Sequence, residues 1–453
     1  MTASTDARTA PSSTDAREPP GPNGLPVIGN LHRYVRDPLS FIERCAREYG
    51  DVVYTNVGPM ESYMVSHPSH IERILVSESD RFRNAELGQG RLEPLFGNGL
   101  VVSEGEHWRR QRIRMQPAFR PDRIAAYAEI MRAEAIRVTD RWSPGETIRL
   151  DDEFRRLSLR ILVRSLFGTD LDDREDEILE AFRTTTDRFE GANTWLPGWL
   201  PTPANRRFER GRQRLDEIVY ELIDRRRDDA ASRDDLLSAL LTAEDDCGER
   251  MSDRAIRDEV VTLLAAGHDT TALALTYAVH LLGTRPSAAE RLAAELESVL
   301  DGEAPTMADL DRLPYTEAAV SEALRYYPPT HATAREPVED VTVDGYRLPK
   351  GATVFLPQWV VHRDERWWDD PETYHPERWL DDSDRPEYAY FPFGGGPRHC
   401  IGHRFALVEA RIVLATIASR WRLEPTDETL SVRPAITLRP TEPVEAVVRE
   451  RTR

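Results

Sequence analysis

The segment FPFGGGPRHCIGHRFALVEARIVLATIASRW, beginning at Phe391, sets a cysteine between a glycine-rich loop and an amphipathic stretch. Ile401, Phe405, Val408 and Ile412 recur at helical spacing and form one apolar face. Cys400 therefore stands where loop meets helix. Free backbone N–H groups and the positive end of the helix dipole favour an anionic sulfur there. A lone cysteine is more often an inert buried residue. This context instead favours a thiolate. Gly394, Gly395 and Gly396 let the backbone turn tightly and lie against a flat ligand. Arg398 can pair with a carboxylate beside that ligand.

Other polar groups sit where they need a reason. In LLAAGHDTTALAL, Asp269, Thr270 and Thr271 interrupt an apolar run. Taken alone, such hydroxyls as readily bond back to the preceding helical turn. In SEALRYYPP, Glu322 and Arg325 are three apart and share a helix face. Taken alone, that is an ordinary surface pair of small value. In GEHWRRQRIRMQPAF, Trp108 and Arg112 are four apart, and Arg335 lies in ATAREPVED.

Phe393, Gly396, Arg398, Cys400 and Gly402 stand at the spacing of the heme-binding loop of the cytochrome P-450 family, and Ala406 and Glu409 continue the pattern. The chain resembles that family closely. Ala266, Gly267, Asp269 and Thr270 resemble its oxygen-activation motif. Glu322 with Arg325, and Trp108 with Arg112, match two further motifs. They fall in family order across about 20–450.

The resemblance implies a mainly α fold, a large helical domain with a small β lobe enclosing heme b (iron protoporphyrin IX). Cys400 would be the proximal iron ligand; a cysteine thiolate pushes electron density onto iron and favours O–O cleavage. Trp108, Arg112, Arg335 and Arg398 would hold the heme propionates, three arginines for two carboxylates. Over the heme the long helix would be locally distorted, with Ala266 beside the cofactor and Gly267 letting the ligand approach. Thr270 would hydrogen-bond the bound oxygen and Asp269 would feed protons to it. His268, at the motif's variable position, would be structural. Glu322, Arg325 and Arg378 would form a buried triad securing the heme loop.

The implied activity is insertion of one oxygen atom of dioxygen into an apolar substrate, a lipid, fatty acid or terpenoid. A peroxide-driven peroxygenase and a non-catalytic heme sensor on the same fold are the alternatives; the Asp269–Thr270 pair argues against both. The substrate pocket would be lined by Thr262, Ala266, Phe96, Leu100, Phe189, Trp195, Leu196, Trp199, Leu200, Ala332 and Ile436. Trp195 and Trp199 serve equally well as core packing. No flavin or nicotinamide fingerprint occurs, and three cysteines cannot build an iron–sulfur cluster. A separate ferredoxin or flavodoxin-type donor and its reductase are implied. Arg109, Arg110, Arg112 and Arg114 form a basic stripe suited to docking that donor.

These groups must be positioned by the elements between them. PPGPNGLP at 19–26 is a turn-rich entry, and 38–49 has helical spacing. DVVYTNVG and SYMVS alternate as a hairpin around Gly58 and Pro59. From about 107 to 330 the pattern is helical. Ser252 is a plausible N-cap of a helix running to about Leu282, roughly 45 Å long. A second β region spans 337–356, with DGYRLPKG as its turn. The sequence reads as one domain, 19–453, after a disordered tail, 1–18, rich in Ser, Thr, Ala and Pro.

Composition narrows the surroundings. Seventy-nine acidic residues against sixty basic give a net charge of -19, which repels nucleic acid and anionic membranes. Lys350 is the single lysine among the basic residues. That pattern fits a salt-adapted, haloarchaeal-like protein, or a GC-rich genome that favours arginine codons. Cys45, Cys247 and Cys400 are too few for a disulfide framework, which suits a reducing cytoplasm. No CxxC or HExxH occurs, no apolar run is long enough to span a membrane, and the N-terminus lacks a signal-peptide core.

Overall fold

The computed structural model describes residues 17–451 apart from 59, 86–91, 172–173, 190–197, 245–247, 249 and 382–383. Most of the proposed tail, residues 1–16, and Cys247 thus lie outside the described residues. Arg17 is tied down: its amide donates to the Gly345 carbonyl at 3.0 Å and its carbonyl accepts from Arg347 at 2.8 Å.

Helix α1 (Pro38–Tyr49) begins with Pro38 at its first turn, and the Asp37 side chain accepts from the Ser40 amide. Strands β1 (Val52–Val57) and β2 (Met60–Val65) form the expected antiparallel hairpin, with Val52 opposite Val65. They join a mixed sheet in the order β1-β2-β8-β5-β3, where β3 is Phe82–Asn84, β5 Thr333–Pro337 and β8 Thr353–Leu356. The hairpin of β6 (Val341–Val343) and β7 (Tyr346–Leu348) corrects one expectation. Only Asp344 and Gly345 make the turn, both at positive φ, and Tyr346–Leu348 is a strand. An Asp-Gly pair is the two-residue hairpin signal, so the following alternating residues were free to pair. Strands β4 (Thr147–Arg149), β12 (Glu445–Glu450) and β9 (Trp421–Pro425) form a second sheet. A two-stranded ribbon pairs β10 (Val432–Pro434) with β11 (Leu438–Pro440).

The helical body follows α2 (Gly105–Met115), α3 (Pro121–Thr139), α4 (Leu150–Phe167), α5 (Glu175–Thr186) and α6 (Pro203–Arg227). Then comes α7 (Asp253–Gly283), with the Ser252 hydroxyl accepting the Ala255 amide at 3.2 Å as its cap. Nearly every residue of α7 from Ile256 to Leu282 is buried, its charged residues Arg257, Asp258, Glu259 and Asp269 included, so α7 runs through the core. Helices α4, α8 (Pro286–Leu300), α9 (Pro314–Tyr326) and α10 (His403–Arg420) pack against it, and α3 packs on α10. The large core lies among these helices; a smaller apolar core fills the β lobe. The fold is mainly α with small sheets, as the sequence implies.

The triad holds two of these parts together. Glu322 and Arg325 are fully buried, and the guanidinium meets both carboxylate oxygens at 2.9 and 2.8 Å. Arg378 reaches the same carboxylate at 3.1 Å. The Trp379 indole at 2.8 Å and the His375 amide at 3.0 Å complete its shell, and Arg325 also donates to the carbonyls of His362 and Pro371. Removing one member would strand a buried charge, costing about 3–5 kcal/mol. The network ties α9 to the segment that leads into the cysteine loop.

Candidate active site

Between α7 and the loop before α10 lies a cavity of about 350 Å³. Phe393, Arg398, Cys400, Gly402, Trp108, Arg112, Arg335, Ala266, Gly267 and Thr270 all line it. Two site residues expected from the sequence, Gly396 and Asp269, do not.

The cysteine loop is built by short local bonds. The Cys400 amide donates to the Phe393 carbonyl at 3.0 Å, and the His399 amide to the Gly396 carbonyl at 3.0 Å. Gly396 has φ +64, and a Cβ there would run into the Leu75 carbonyl oxygen. Its glycine is thus required by the loop's seat on the β lobe, not by contact with a ligand. Gly402 precedes α10, and its amide is directed at the Cys400 sulfur. Cys400 is accessible from the cavity yet enclosed by protein atoms. Burial pushes its thiol up; the Gly402 amide and the Arg112 charge lower it, but not enough. The helix end by itself does not offset that burial. A bound cation would, because a coordinating thiol loses its proton outright.

Three cations surround the cavity, and their partners differ. Arg398 stacks 4.2 Å over the Trp108 ring, donates to the Ser103 carbonyl at 2.8 Å and pairs with Glu104 at 2.6 Å. Arg112 has no hydrogen-bonded partner among the described residues and lies 5.9 Å from the Trp108 ring centre. Arg335 is buried, and among the described residues its guanidinium is bonded only to the Asn84 side-chain oxygen at 3.3 Å and the Ala334 carbonyl at 2.9 Å. Burial pulls it down to about 10. A buried guanidinium without a carboxylate is costly. Arg112 and Arg335 thus leave room for two anionic groups. A flat macrocycle with two carboxylates and a metal facing Cys400 fits this donor set. Glu104, which the sequence did not single out, balances the third arginine.

On the other wall, α7 is helical throughout, without the local opening expected over the heme. The Thr270 hydroxyl donates to the Ala266 carbonyl at 2.6 Å. A Cβ on Gly267 would strike Leu162 of α4, so this glycine, which lines the cavity, also permits the helices to pack. Asp269 points away from the cavity. Its carboxylate accepts from Thr437 at 2.8 Å and pairs with Arg439 at 3.0 Å and Arg155 at 3.3 Å. Burial raises its carboxyl, but Arg439 and Arg155 outweigh that and hold it well below the usual carboxylate range. His268 is buried against Phe182 and bonded to the Leu264 carbonyl, a structural role.

Residues 19–446 match the cytochrome P450 family. The chain belongs to the cytochrome P-450 family. Cyclooctatin synthase of Streptomyces melanosporofaciens is 38% identical over 434 residues, covering 94% of each chain. Cyclooctat-9-en-7-ol 5-monooxygenase of the same organism is 36% identical over 89% of each chain. Pentalenene oxygenase of Streptomyces avermitilis is 36% identical over 89% of this chain and 90% of its own. These streptomycete relatives lend no support to a haloarchaeal origin. This cytochrome P-450 is a heme-thiolate monooxygenase. No helix among its described residues is long and apolar enough to cross a membrane.

The substrate side of the P-450 cavity differs from the sequence expectation in most named positions. Leu100, Thr262 and Ala266 line it, joined by Leu162 and Leu166 of α4, Leu263, Leu324 and Thr330. Phe96 and Phe189 are buried in the helical core, where Phe189 packs on Phe208, and neither lines the cavity. Ala332, Ile436 and Leu200 also do not line it. Trp199 is 81% exposed, so it is neither cavity wall nor core. Trp195 and Leu196 lie outside the described residues. Periodicity marks an apolar face; it does not say which of two apolar spaces that face meets.

Proposed function

We propose that this cytochrome P-450 hydroxylates a cyclic terpenoid, with Cys400 as the iron ligand and electrons from a separate ferredoxin or flavodoxin-type donor. The observation that carries this reading is a mostly apolar cavity bounded by the Cys400 sulfur and, from α7, by Thr270. The resemblance to oxygenases named for cyclooctatane and pentalenene substrates supports a terpenoid over a fatty acid. Heme, when bound, supplies reductive activation of dioxygen and transfer of one oxygen atom.

The protein's own residues do the rest. Arg112 and Arg335 hold the two cofactor carboxylates, Trp108 and Arg398 border them, and Phe393 and Gly402 shape the loop around the sulfur. Leu162, Leu166, Leu263 and Leu324 exclude water and hold an apolar body. The Thr270 hydroxyl stands ready to pass a proton at the cavity face. Asp269 serves as a proton relay: it must release Thr437, Arg439 and Arg155 to turn inward, and its carboxyl can take up a proton once those cations are left behind.

The test is optical titration of the ferric holoenzyme with cyclic sesquiterpene and diterpene hydrocarbons and alcohols, with a fatty acid of similar size as comparison. A terpene is expected to displace iron-bound water and give the low-to-high-spin shift, with the fatty acid far weaker. A fatty acid that binds while no terpene does would overturn the substrate class. Cys400→Ser is expected to abolish the red-shifted absorption of the reduced carbon-monoxide complex; its survival would overturn the ligand assignment.

A further inference from the structure

Leu100 and Val101 wall the cavity, yet they belong to a segment, 97–101, of turns and coil. Two adjacent side chains of α7 hold it. The Asn98 amide donates to Asp258 Oδ2 at 2.9 Å, and the Leu100 amide donates to Glu259 Oε2 at 2.9 Å. Both carboxyl groups are buried. The glycines on either side of Asn98 allow direct contact. A Cβ on Gly97 would enter the Asp258 carboxylate. One on Gly99 would run into the Thr262 hydroxyl and come within 2.6 Å of the Asp258 carbonyl oxygen. Thr262 lines the same cavity, with its hydroxyl donated to that carbonyl at 2.7 Å.

Packing alone does not call for these acids. Asp258 is balanced by Arg257 at 2.9 Å, and Arg257 in turn pairs with Asp216 of α6. Glu259 has no cation beside it among the described residues. Its Oε1 has no partner among the described residues, and burial pushes its carboxyl up to about 8. An apolar residue of similar size would be cheaper to bury there.

We propose that Asp258 and Glu259 are positioning residues that latch segment 97–101 onto α7 and so set the shape of the substrate cavity and access to it. The latch places Leu100 and Val101 without any strand or helix of their own. The latch needs only an acceptor oxygen facing the Leu100 amide, so an amide in place of the Glu259 carboxyl should work as well.

The test compares holoenzymes of wild type, Glu259→Leu, Glu259→Gln and Gly99→Ala. It follows hydrogen–deuterium exchange across 95–104 and the binding and release rates of phenylimidazole, whose nitrogen ligates the iron. Glu259→Leu is expected to speed exchange at the Leu100 amide about tenfold, the effect of losing one hydrogen bond of ~1.4 kcal/mol, and to raise both phenylimidazole rates. Glu259→Gln is expected to keep wild-type exchange and rates. Gly99→Ala leaves both carboxyls intact but lifts the segment, and should reproduce the Leu variant; it decides the matter alone should Glu259→Leu fail to fold. Wild-type exchange and rates in Gly99→Ala, or a Gln variant as loose as the Leu variant, would refute the latch.

Discussion

At the scale of single residues, the site separates charge that is locked from charge that is absent. Asp269 is ionised and clamped, so its contribution to stability is present above the usual carboxylate pKa and lost as pH falls through its depressed folded value. Asp269→Asn leaves Arg439 and Arg155 with less counter-charge and is expected to cost about 3 kcal/mol in denaturant unfolding. It should also lower turnover on the order of 10²-fold. Turnover within twofold of wild type would remove Asp269 from the proton path. Glu409 is the opposite case: burial pushes it up to about 8, against a lowering by Ser158. The folded state holds this proton and the unfolded state releases it near pH 4, so stability falls as pH rises from about 4 to 8. Melting of Glu409→Gln should therefore gain on wild type between pH 5 and pH 8; a constant gap would contradict a buried neutral acid. Asp269 was legible in the sequence as a polar break in an apolar run. Its clamp was not, because Arg155 and Arg439 are remote in sequence and look like any other arginines.

At the scale of elements, the motif glycines prove to be packing devices. Gly267 lets Leu162 of α4 close on α7, and Gly396 lets the cysteine loop close on the Leu75 carbonyl. Gly267→Ala is expected to destabilise the fold by about 1–3 kcal/mol through overpacking. Adding Leu162→Ala should recover part of that loss, and the double-mutant cycle in denaturant measures the coupling. Additive effects would place the strain elsewhere. The long helix itself was readable end to end, since Ser252, the apolar run and Gly283 are local signals.

At the scale of the whole molecule, the basic stripe divides. Arg109 and Arg110 are exposed on α2, beside Ile113, which is 58% exposed. Arg112 instead lines the cavity, and Arg114 is partly buried with, among the described residues, only a 3.5 Å contact to Gln111. The docking patch we propose for the donor would thus rest on Arg109, Arg110 and Ile113, in a chain of net charge -19. Arg109→Glu with Arg110→Glu should slow donor-supported turnover about tenfold at low ionic strength. The difference should shrink near 1 M salt, where the Debye length is about 3 Å. Equal rates at low salt would move the docking face elsewhere.

The sequence by itself determined the family, the cofactor, the reaction class and the longest helix, because those depend on residues close together in the chain. It also ordered Cys400 into a loop before a helix. Only the tertiary structure decided which apolar residues meet the cavity, that Cys400 opens onto it, and that Glu104 neutralises Arg398. It also brought Asp258 and Glu259 onto a loop some 160 residues earlier. Each of these is set by desolvation and by contacts across the fold, and neither quantity is written in local spacing.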